Sequence, residues 1–488
     1  MNTEEIVLFF ICLVKLVCAV HIIMNKHNQP VSAVLWLAYL VIFPHGLGVP
    51  FYLVFGINRI QQKMPKIQST TEKVKDLHSV ESGTIFSYLK AISKQRHSAS
   101  LDRVYSRMFD KMFPETPLIS GNHVDLLHDG TEAYPAMMNA IVNAEKHIHL
   151  CSYIIVYDHK GKEIIDALVK KAEEGVKVKI IYDSIGSYPF TNAVKLQRLD
   201  KKHPNIEVKP YAVFDILAPY RFHLRNHRKL LVIDGKVAFV GGINISEANV
   251  NHKKQRAIHD LHCKIEGPVL GYFQYMFLRD WCHVAKESPE RLFNHVGLFV
   301  PPEKKENDAL RVVGSGPGQS HEATRKVFLT AANSARKSLW IMTPYFVPDQ
   351  AMLSALKIAA VRNVDVRIIV PEKSDHWFVQ NASRSFYGTL LEDGVRVFER
   401  VGRFNHSKAM LVDNEWSFMG SSNCDGRSFS LNYELDFICE QGAFIADVHN
   451  QFLRELLKSK EISLSAYNKR GVCREFKENL ASLFTPVL

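Results

Sequence analysis

A chain of 488 residues, 47% hydrophobic and 23% charged with no low-complexity run, has the material for two folded domains and is neither disordered nor fibrous. Its net charge of +11 favours an anionic partner, either a membrane surface or a nucleic acid. The cysteines Cys12, Cys18, Cys151, Cys263, Cys282, Cys424, Cys439 and Cys473 show no CxxC pair and no zinc spacing, so they read as reduced thiols and no metal site is expected.

The first sixty residues choose between those partners. Ile6–Met24 is apolar except for Lys15 and His21, and Val31–Ile57 is apolar with Pro44 and Pro50 inside it. Thirteen Leu, Ile, Phe or Val residues in the first stretch contribute roughly −4 to −8 kcal/mol on insertion, against about +3 for Lys15. Insertion wins. A signal peptide is the competing reading, but Glu4 and Glu5 stand where its basic segment belongs, and a second apolar stretch follows. The expectation is a two-helix transmembrane hairpin over residues 1–66, followed by a polar, partly helical juxtamembrane linker over 67–115. The short link Asn25–Pro30 carries only Lys26, whereas Arg59, Lys63 and Lys66 follow the second stretch. That bias places the N-terminus and the large C-terminal part in the cytoplasm. Membrane, and not nucleic acid, is then the expected partner.

Beyond the linker the chain is duplicated. "NAEKHIHLCSYIIVYDHKGKEIIDALVKKAEEGVKVKIIYD" (Asn143–Asp183) lies against "NSARKSLWIMTPYFVPDQAMLSALKIAAVRNVDVRIIV" (Asn333–Val370). Each reads as a helix end, an apolar strand, a helix and a second apolar strand. Next comes "NHRKLLVIDGKVAFVGGIN" (Asn226–Asn244), a hairpin that turns at Asp234-Gly235. "NHSKAMLVDNEWSFMGSSN" (Asn405–Asn423) repeats its His-x-Lys, its Asp and its closing Gly-x-x-Asn. Downstream, "DLHCKIEG" from Asp260 matches "ELDFICEQG" from Glu434. The expected fold is α/β, with two pseudo-twofold-related α/β sandwiches and mixed sheets over residues 116–300 and 301–488, joined at the polar stretch "PPEKKENDA".

Residues two apart in a strand share a face, so His227 points with Lys229, and His406 with Lys408. The glycine-rich ends bring backbone N–H groups and the amides of Asn244 and Asn423 towards the same place. Two such sets facing each other make a pocket for one phosphate with an imidazole on either side. Phosphodiester exchange wants that arrangement: one imidazole attacks phosphorus while the other protonates the alkoxide that leaves. Asp260 and Glu434, at matched positions, are expected to hydrogen-bond the far ring nitrogens. Asp234 and Asp413 complete the catalytic candidates, although a turn-closing role is favoured for both. Arg221, Arg225 and Arg228 read equally well as an ordinary exposed basic face. A single His-x-Lys would carry little weight. Duplication of a fold gives no packing reason to repeat His, Lys and Asn at identical offsets.

The paired motifs resemble the HKD motifs of the phospholipase D superfamily. With the apolar N-terminus, the chain is similar to the bacterial cardiolipin synthase family over almost its whole length. "TPLISGNHVDLLHDGTEAYPAMMNAI", "RNHRKLLVIDGKVAFVGGINIS", "TPYFVPDQAM" and "GSSNCDGRSFSLNYE" carry the likeness. The resemblance implies that His227 or His406 forms a phosphatidyl-histidine, with a lean towards His227, and that the other histidine is the general acid and base. It implies phosphate binding by Lys229, Lys408, Asn244, Asn423 and Ser421, orientation of the histidines by Glu434 and Asp260, and no metal or other cofactor. Gly242 stands where the second copy has Ser421, a departure that puts equal roles for the halves in doubt. The implied reaction joins two phosphatidylglycerols and releases glycerol, at the inner membrane of a bacterial cell with the catalytic domains on the cytoplasmic side. The basic balance would gather anionic lipid there. A lipid hydrolase, a nuclease and an inactive membrane scaffold are the rival readings. Finally, "NKRGVCREFKENLASLFTPVL" reads as an amphipathic C-terminal helix that lies either on the membrane or on the protein.

Overall fold

The computed structural model describes residues 3–25, 30–43, 48–53, 103–211, 224–250, 258–293, 297–301, 303–317 and 322–485. Most of the expected linker, together with Lys26, Arg59, Lys63, Lys66 and Arg221, lies outside the described residues. The chain divides into two units, Met1–Pro65 and Lys66–Leu488.

In the first unit the helices Thr3–Asn25 and Pro30–Ile42 pack on each other and on the short helix Gly48–Phe51. Cys18, Ile22, Leu40, Val49 and Tyr52 form a small buried centre. The two polar residues of the first helix find partners inside the unit. Lys15 Nζ donates to the Phe43 carbonyl at 3.0 Å, and His21 Nδ1 meets the Tyr52 hydroxyl at 2.7 Å. Leu8, Phe9, Leu16, Val17, Leu35 and Val41 point outward. Among the described residues no helix is long and apolar enough to cross a membrane. The second helix stops after 13 residues, about 20 Å against a hydrocarbon core of about 30 Å. The expected pair of membrane crossings is therefore not met by these helices.

Among the described residues the second unit is built on one large sheet and two small two-stranded ones. Its first half supplies β1 (Ile119–His128), β2 (His147–Ser152), β3 (Lys177–Asp183), β4 (Ile206–Tyr211), β5 (Leu230–Ile233), β6 (Val237–Gly241), β7 (Ile258–His259) and β8 (Leu261–Glu266). The second half supplies β9 (Asp308–Ser315), β10 (Ser338–Met342), β11 (Phe346–Val347), β12 (Asp365–Pro371), β13 (Arg396–Arg400), β14 (Phe404–Asn405), β15 (Ala409–Val412), β16 (Trp416–Gly420), β17 (Cys424–Asp425), β18 (Glu434–Gln441) and β19 (Ser459–Ile462). Among the described residues the large sheet has 15 strands in the order β19-β13-β12-β10-β15-β16-β18-β9-β1-β8-β6-β5-β2-β3-β4. Outward from the central antiparallel pair β9–β1, the first half runs β1-β8-β6-β5-β2-β3-β4 and the second runs β9-β18-β16-β15-β10-β12-β13. The duplication seen in sequence is thus a repeated strand order, with β19 added at one edge.

The motif hairpins follow from local chemistry. β5 and β15 are four-residue strands buried throughout, and each turns back through two residues of positive φ. These are Asp234 and Gly235 at 53° and 64°, and Asp413 and Asn414 at 54° and 55°. Gly, Asn and Asp tolerate that conformation best, so the turns are written in the sequence. Each half has its own apolar core. The helices Leu270–Ala285 and Phe444–Leu456 pack across the strands of their own half and reach the first strand of the other, β9 and β1 respectively.

Candidate active site

Each motif enters the site beside the other half's carboxylate. Asn226 forms a parallel bridge with Tyr433, where His227 N donates to the Tyr433 carbonyl at 2.9 Å and Tyr433 N to the Arg225 carbonyl at 2.8 Å. In the opposite sense β14 pairs with β7, Asn405 faces His259, and His406 N donates to the His259 carbonyl at 2.7 Å. The residue before each histidine is thereby paired with the residue before the opposite carboxylate. The side chains follow. His227 Nδ1 donates to Glu434 at 3.0 and 3.1 Å, and His406 Nδ1 donates to Asp260 Oδ2 at 2.6 Å. Both dyads are shared between the halves.

His227 and His406 line one cavity of about 330 Å³, together with Asn244 and Asn423. A hydrogen bond from Nδ1 to a carboxylate leaves Nε2 as the nitrogen available for chemistry. Burial is the largest influence on both rings. It pulls His227 down to about 4 against the Glu434 charge, and it lowers His406 as well, helped by Lys408. Glu434 and Asp260 stay below the usual carboxylate range: burial raises them, but His227, Lys229 and the Ser421 hydroxyl outweigh it at Glu434, and Lys408, the His406 bond and the Leu261 N–H outweigh it at Asp260. At neutral pH both lowered rings are neutral imidazoles on their carboxylates. A phosphodiester entering the cavity brings a negative charge that would raise both rings.

Lys229 and Lys408 are buried behind the histidines. Lys229 Nζ donates to the His227 carbonyl at 2.7 Å and lies 5.4 Å from the centre of the Tyr153 ring. Lys408 Nζ donates to the His406 carbonyl. Burial lowers them to about 7 and about 8, so their charge is held close to neutral pH. Asn244 Oδ1 takes the Ile154 N–H at 3.2 Å, while Asn423 Oδ1 is buried with no protein donor.

These contacts correct two sequence expectations and decide a third. The Ser421 hydroxyl is 2.6 Å from Glu434 Oε2, to which it donates, and it accepts from Leu435 N at 2.9 Å, so it supports the carboxylate and does not line the cavity. Asp234 accepts the N–H groups of Glu145, Lys146 and His147, each at 2.8 Å. Asp413 accepts those of Arg336, Lys337 and Ser338 at 2.7 to 2.9 Å. Both aspartates clamp the start of the neighbouring strand and stand outside the cavity, which fits the structural role favoured for them from sequence over a place among the catalytic residues. Arg225 and Arg228 are buried and not an exposed face. Arg225 lines the cavity and pairs with Asp183 at 3.2 Å, and Arg228 pairs with Asp280 and donates to the Glu434 carbonyl at 2.9 Å.

Several lining residues were not singled out from sequence: Tyr153, Tyr345, Asp375, Asp425 and Arg427. The tyrosine rings stand edge-on to His227 at 4.9 Å and His406 at 6.1 Å. Tyr153 and Tyr345 each follow an apolar strand in the duplicated segments, which is the signal that could have found them. The acids carry no repeated pattern.

The family model described as cardiolipin synthase, PLD-like domain, matches residues 137–281 and 328–456. The chain is 33% identical over 474 residues to the cardiolipin synthase of Halalkalibacterium halodurans, covering 96% of this chain and 91% of that one. It is 30% identical over 476 residues to cardiolipin synthase 1 of Bacillus cereus, with the same coverage of 96% and 91%. Among solved structures, a phosphatidylserine synthase from Haemophilus influenzae superposes with a TM-score of 0.60 at 16% identity, covering 78% of this chain and 99% of that one, a likeness of fold.

Proposed function

Because the chain belongs to the cardiolipin synthase family of phospholipase D-like phosphatidyltransferases, we propose that it transfers a phosphatidyl group from one phosphatidylglycerol to the headgroup hydroxyl of another. One observation carries the reading: two imidazoles, each held at Nδ1 by a carboxylate from the opposite half, line the same cavity.

The chemistry divides between them. Nε2 of His227 attacks phosphorus, an N–P bond forms, and the P–O bond to glycerol breaks. His406, protonated once the phosphate charge is in the cavity, gives its Nε2 proton to the departing glycerol oxygen. The terminal hydroxyl of a second phosphatidylglycerol then loses its proton to His406 and attacks phosphorus, and the N–P bond breaks to leave cardiolipin. One phosphodiester replaces another, so no nucleotide is spent. Lys229 and Lys408 supply positive charge behind the rings, and Asn423 Oδ1 is an acceptor for a substrate hydroxyl. Asp234 and Asp413 have no chemical step.

The first unit turns large apolar side chains outward while Lys15 and His21 are satisfied inside it. Lipid is the solvent that suits such a surface. The protein is proposed to be embedded at the inner membrane of a bacterial cell, with the catalytic halves on the cytoplasmic side. To test the reaction, the purified protein is incubated with vesicles of labelled phosphatidylglycerol and the products are resolved. Cardiolipin with an equal amount of glycerol is expected. Phosphatidic acid as the sole lipid product would make it a hydrolase, and no turnover an inactive scaffold.

A further inference from the structure

The C-terminal helix Val472–Ser482 sits on the protein with its polar side inward. Glu478 is fully buried and ion-paired with Arg470 Nε at 3.1 Å and Arg474 Nε at 2.8 Å, and Ala481 is buried beside it. Val472, Phe476, Leu480 and Leu483, at helical spacing i, i+4, i+8 and i+11, face away from the protein, with Phe476 65% and Leu483 74% exposed. The helix packs on a second one, Trp377–Ser385, through an edge-to-face contact of Phe484 with Phe378 at 5.2 Å. Trp377 is 66% exposed on that second helix. Residues at the head of the same helix, His376 and Val379, line the cavity that holds both motif histidines. Lys373 in the segment before the second helix, Lys469 just before the C-terminal helix and Lys477 within it are exposed.

We propose that these two helices form a docking surface for an anionic lipid bilayer, with Trp377, Phe476, Leu480 and Leu483 at the boundary of headgroups and acyl chains and the three lysines against lipid phosphates. The inference rests on the lipid-transfer reading of the cavity. A phosphate has to enter the cavity while its acyl chains stay in lipid, so the surface beside the mouth must itself meet the membrane. A second protein chain on that stripe would stand where the substrate's tails have to leave. The inverted helix is then explained: the buried Glu478 with its two arginines fastens it to the protein and leaves the apolar stripe for lipid.

The test uses the full chain with Cys12 and Cys473 replaced by serine and an environment-sensitive fluorophore placed at Leu483→Cys, reconstituted in phosphatidylglycerol vesicles. A blue shift and quenching by lipids brominated near the headgroup are expected. A control label at Val361→Cys should stay aqueous and unquenched, because the helix Gln350–Val361 returns the chain to the start of β12, at the end of that strand away from His376. An unquenched label at 483 overturns the proposal, as does a blue shift without lipid quenching, which would mean that a second copy covers the stripe. These readings hold even if the protein transfers no lipid, so failure of the docking and failure of the reaction are told apart. A second arm replaces both exposed residues, Phe476→Glu with Leu483→Glu. Transfer from vesicle lipid should fall at least tenfold, while transfer from a monomeric short-chain phosphatidylglycerol stays within twofold. Equal loss on both substrates counts against the proposal.

Discussion

The two halves hold their histidines by the same bond and seat the bonding carboxylates differently. In the first half Asp260 fills space that Gly242 leaves open, and a Cβ at position 242 would lie 2.1 Å from Asp260 Oδ1. In the second half the longer Glu434 occupies the matched position, and Ser421 takes the place of the glycine and donates to it at 2.6 Å. Glu434 also receives Ser428 Oγ at 2.9 Å and Asn432 Nδ2 at 3.3 Å, whereas Asp260 receives the Leu261 N–H at 2.8 Å. Exchange of the carboxylates across the twofold means that the richer set of donors serves His227. A carboxylate fixed by several donors keeps its ring still, which suits a nucleophile. One with fewer donors lets its ring take and give a proton, which suits the acid and base. A near-symmetric fold thus becomes an asymmetric site through one missing hydroxyl and one missing methylene.

Removing either histidine breaks the comparison most severely. His227→Ala and His406→Ala should each lower transfer by about 10⁴-fold or more, because nucleophile and acid act as a unit. The His→Asn pair sharpens it. With a labelled phosphatidyl donor whose leaving group departs without a proton, such as p-nitrophenol, His406→Asn should retain the phosphatidyl group on the protein, and His227→Asn should retain none. Label on His227→Asn alone would reverse the roles.

The seats themselves come next. Gly242→Ser drives a side chain into Asp260 and should cost about 1–3 kcal/mol in thermal or denaturant unfolding, with a larger loss of activity because Asp260 must move. Ser421→Ala removes one donor from a carboxylate that keeps others, so its cost should be about 1 kcal/mol and its activity loss about tenfold. Matching effects from the two variants would contradict the asymmetry.

How far the sequence led differs between the levels of the structure. The duplicated strand and helix patterns gave the repeated sheet order, because buried strands of Val, Ile and Leu carry a plain signal. The pairing of β9 with β1, which makes one sheet of two halves, has no such signal, since either strand could have closed an edge. His227, His406 and their carboxylates were legible from repetition, but the crossing of partners was not, because it depends on the bridges of Asn226 with Tyr433 and Asn405 with His259. Ser421 misleads in the same way, whereas the motif aspartates take the structural role favoured for them from sequence. Position in a motif reports that a residue is needed, and only its hydrogen bonds tell whether substrate or scaffold needs it.

The motif aspartates offer a contrast in stability. Asp234 is buried and Asp413 half-buried, yet each closes three backbone N–H groups. Asp→Ala should cost about 1–3 kcal/mol at 234 and less at 413, where water reaches the freed groups. Turnover per folded molecule should be unchanged in both. A loss of turnover without loss of stability would return these carboxylates to the chemistry.

The smallest effect is a pH slope. Folding takes His227 from its ordinary value of 6.5 to about 4 by burying it. Between those values the unfolded chain binds a proton at this ring that the folded chain does not, so stability falls as pH falls through the window, by at most about 1.4 kcal/mol per pH unit. Glu434 is held below its ordinary value and tilts stability the same way, so the histidine's share is read as a difference. Denaturant unfolding of the parent and of His227→Asn at pH 4.5, 5.5 and 6.5 should show a flatter dependence in the variant. Identical slopes would mean that the imidazole is already charged in the folded protein. A charged ring has no lone pair at Nε2, and the attack on phosphorus would then have to start from the other half.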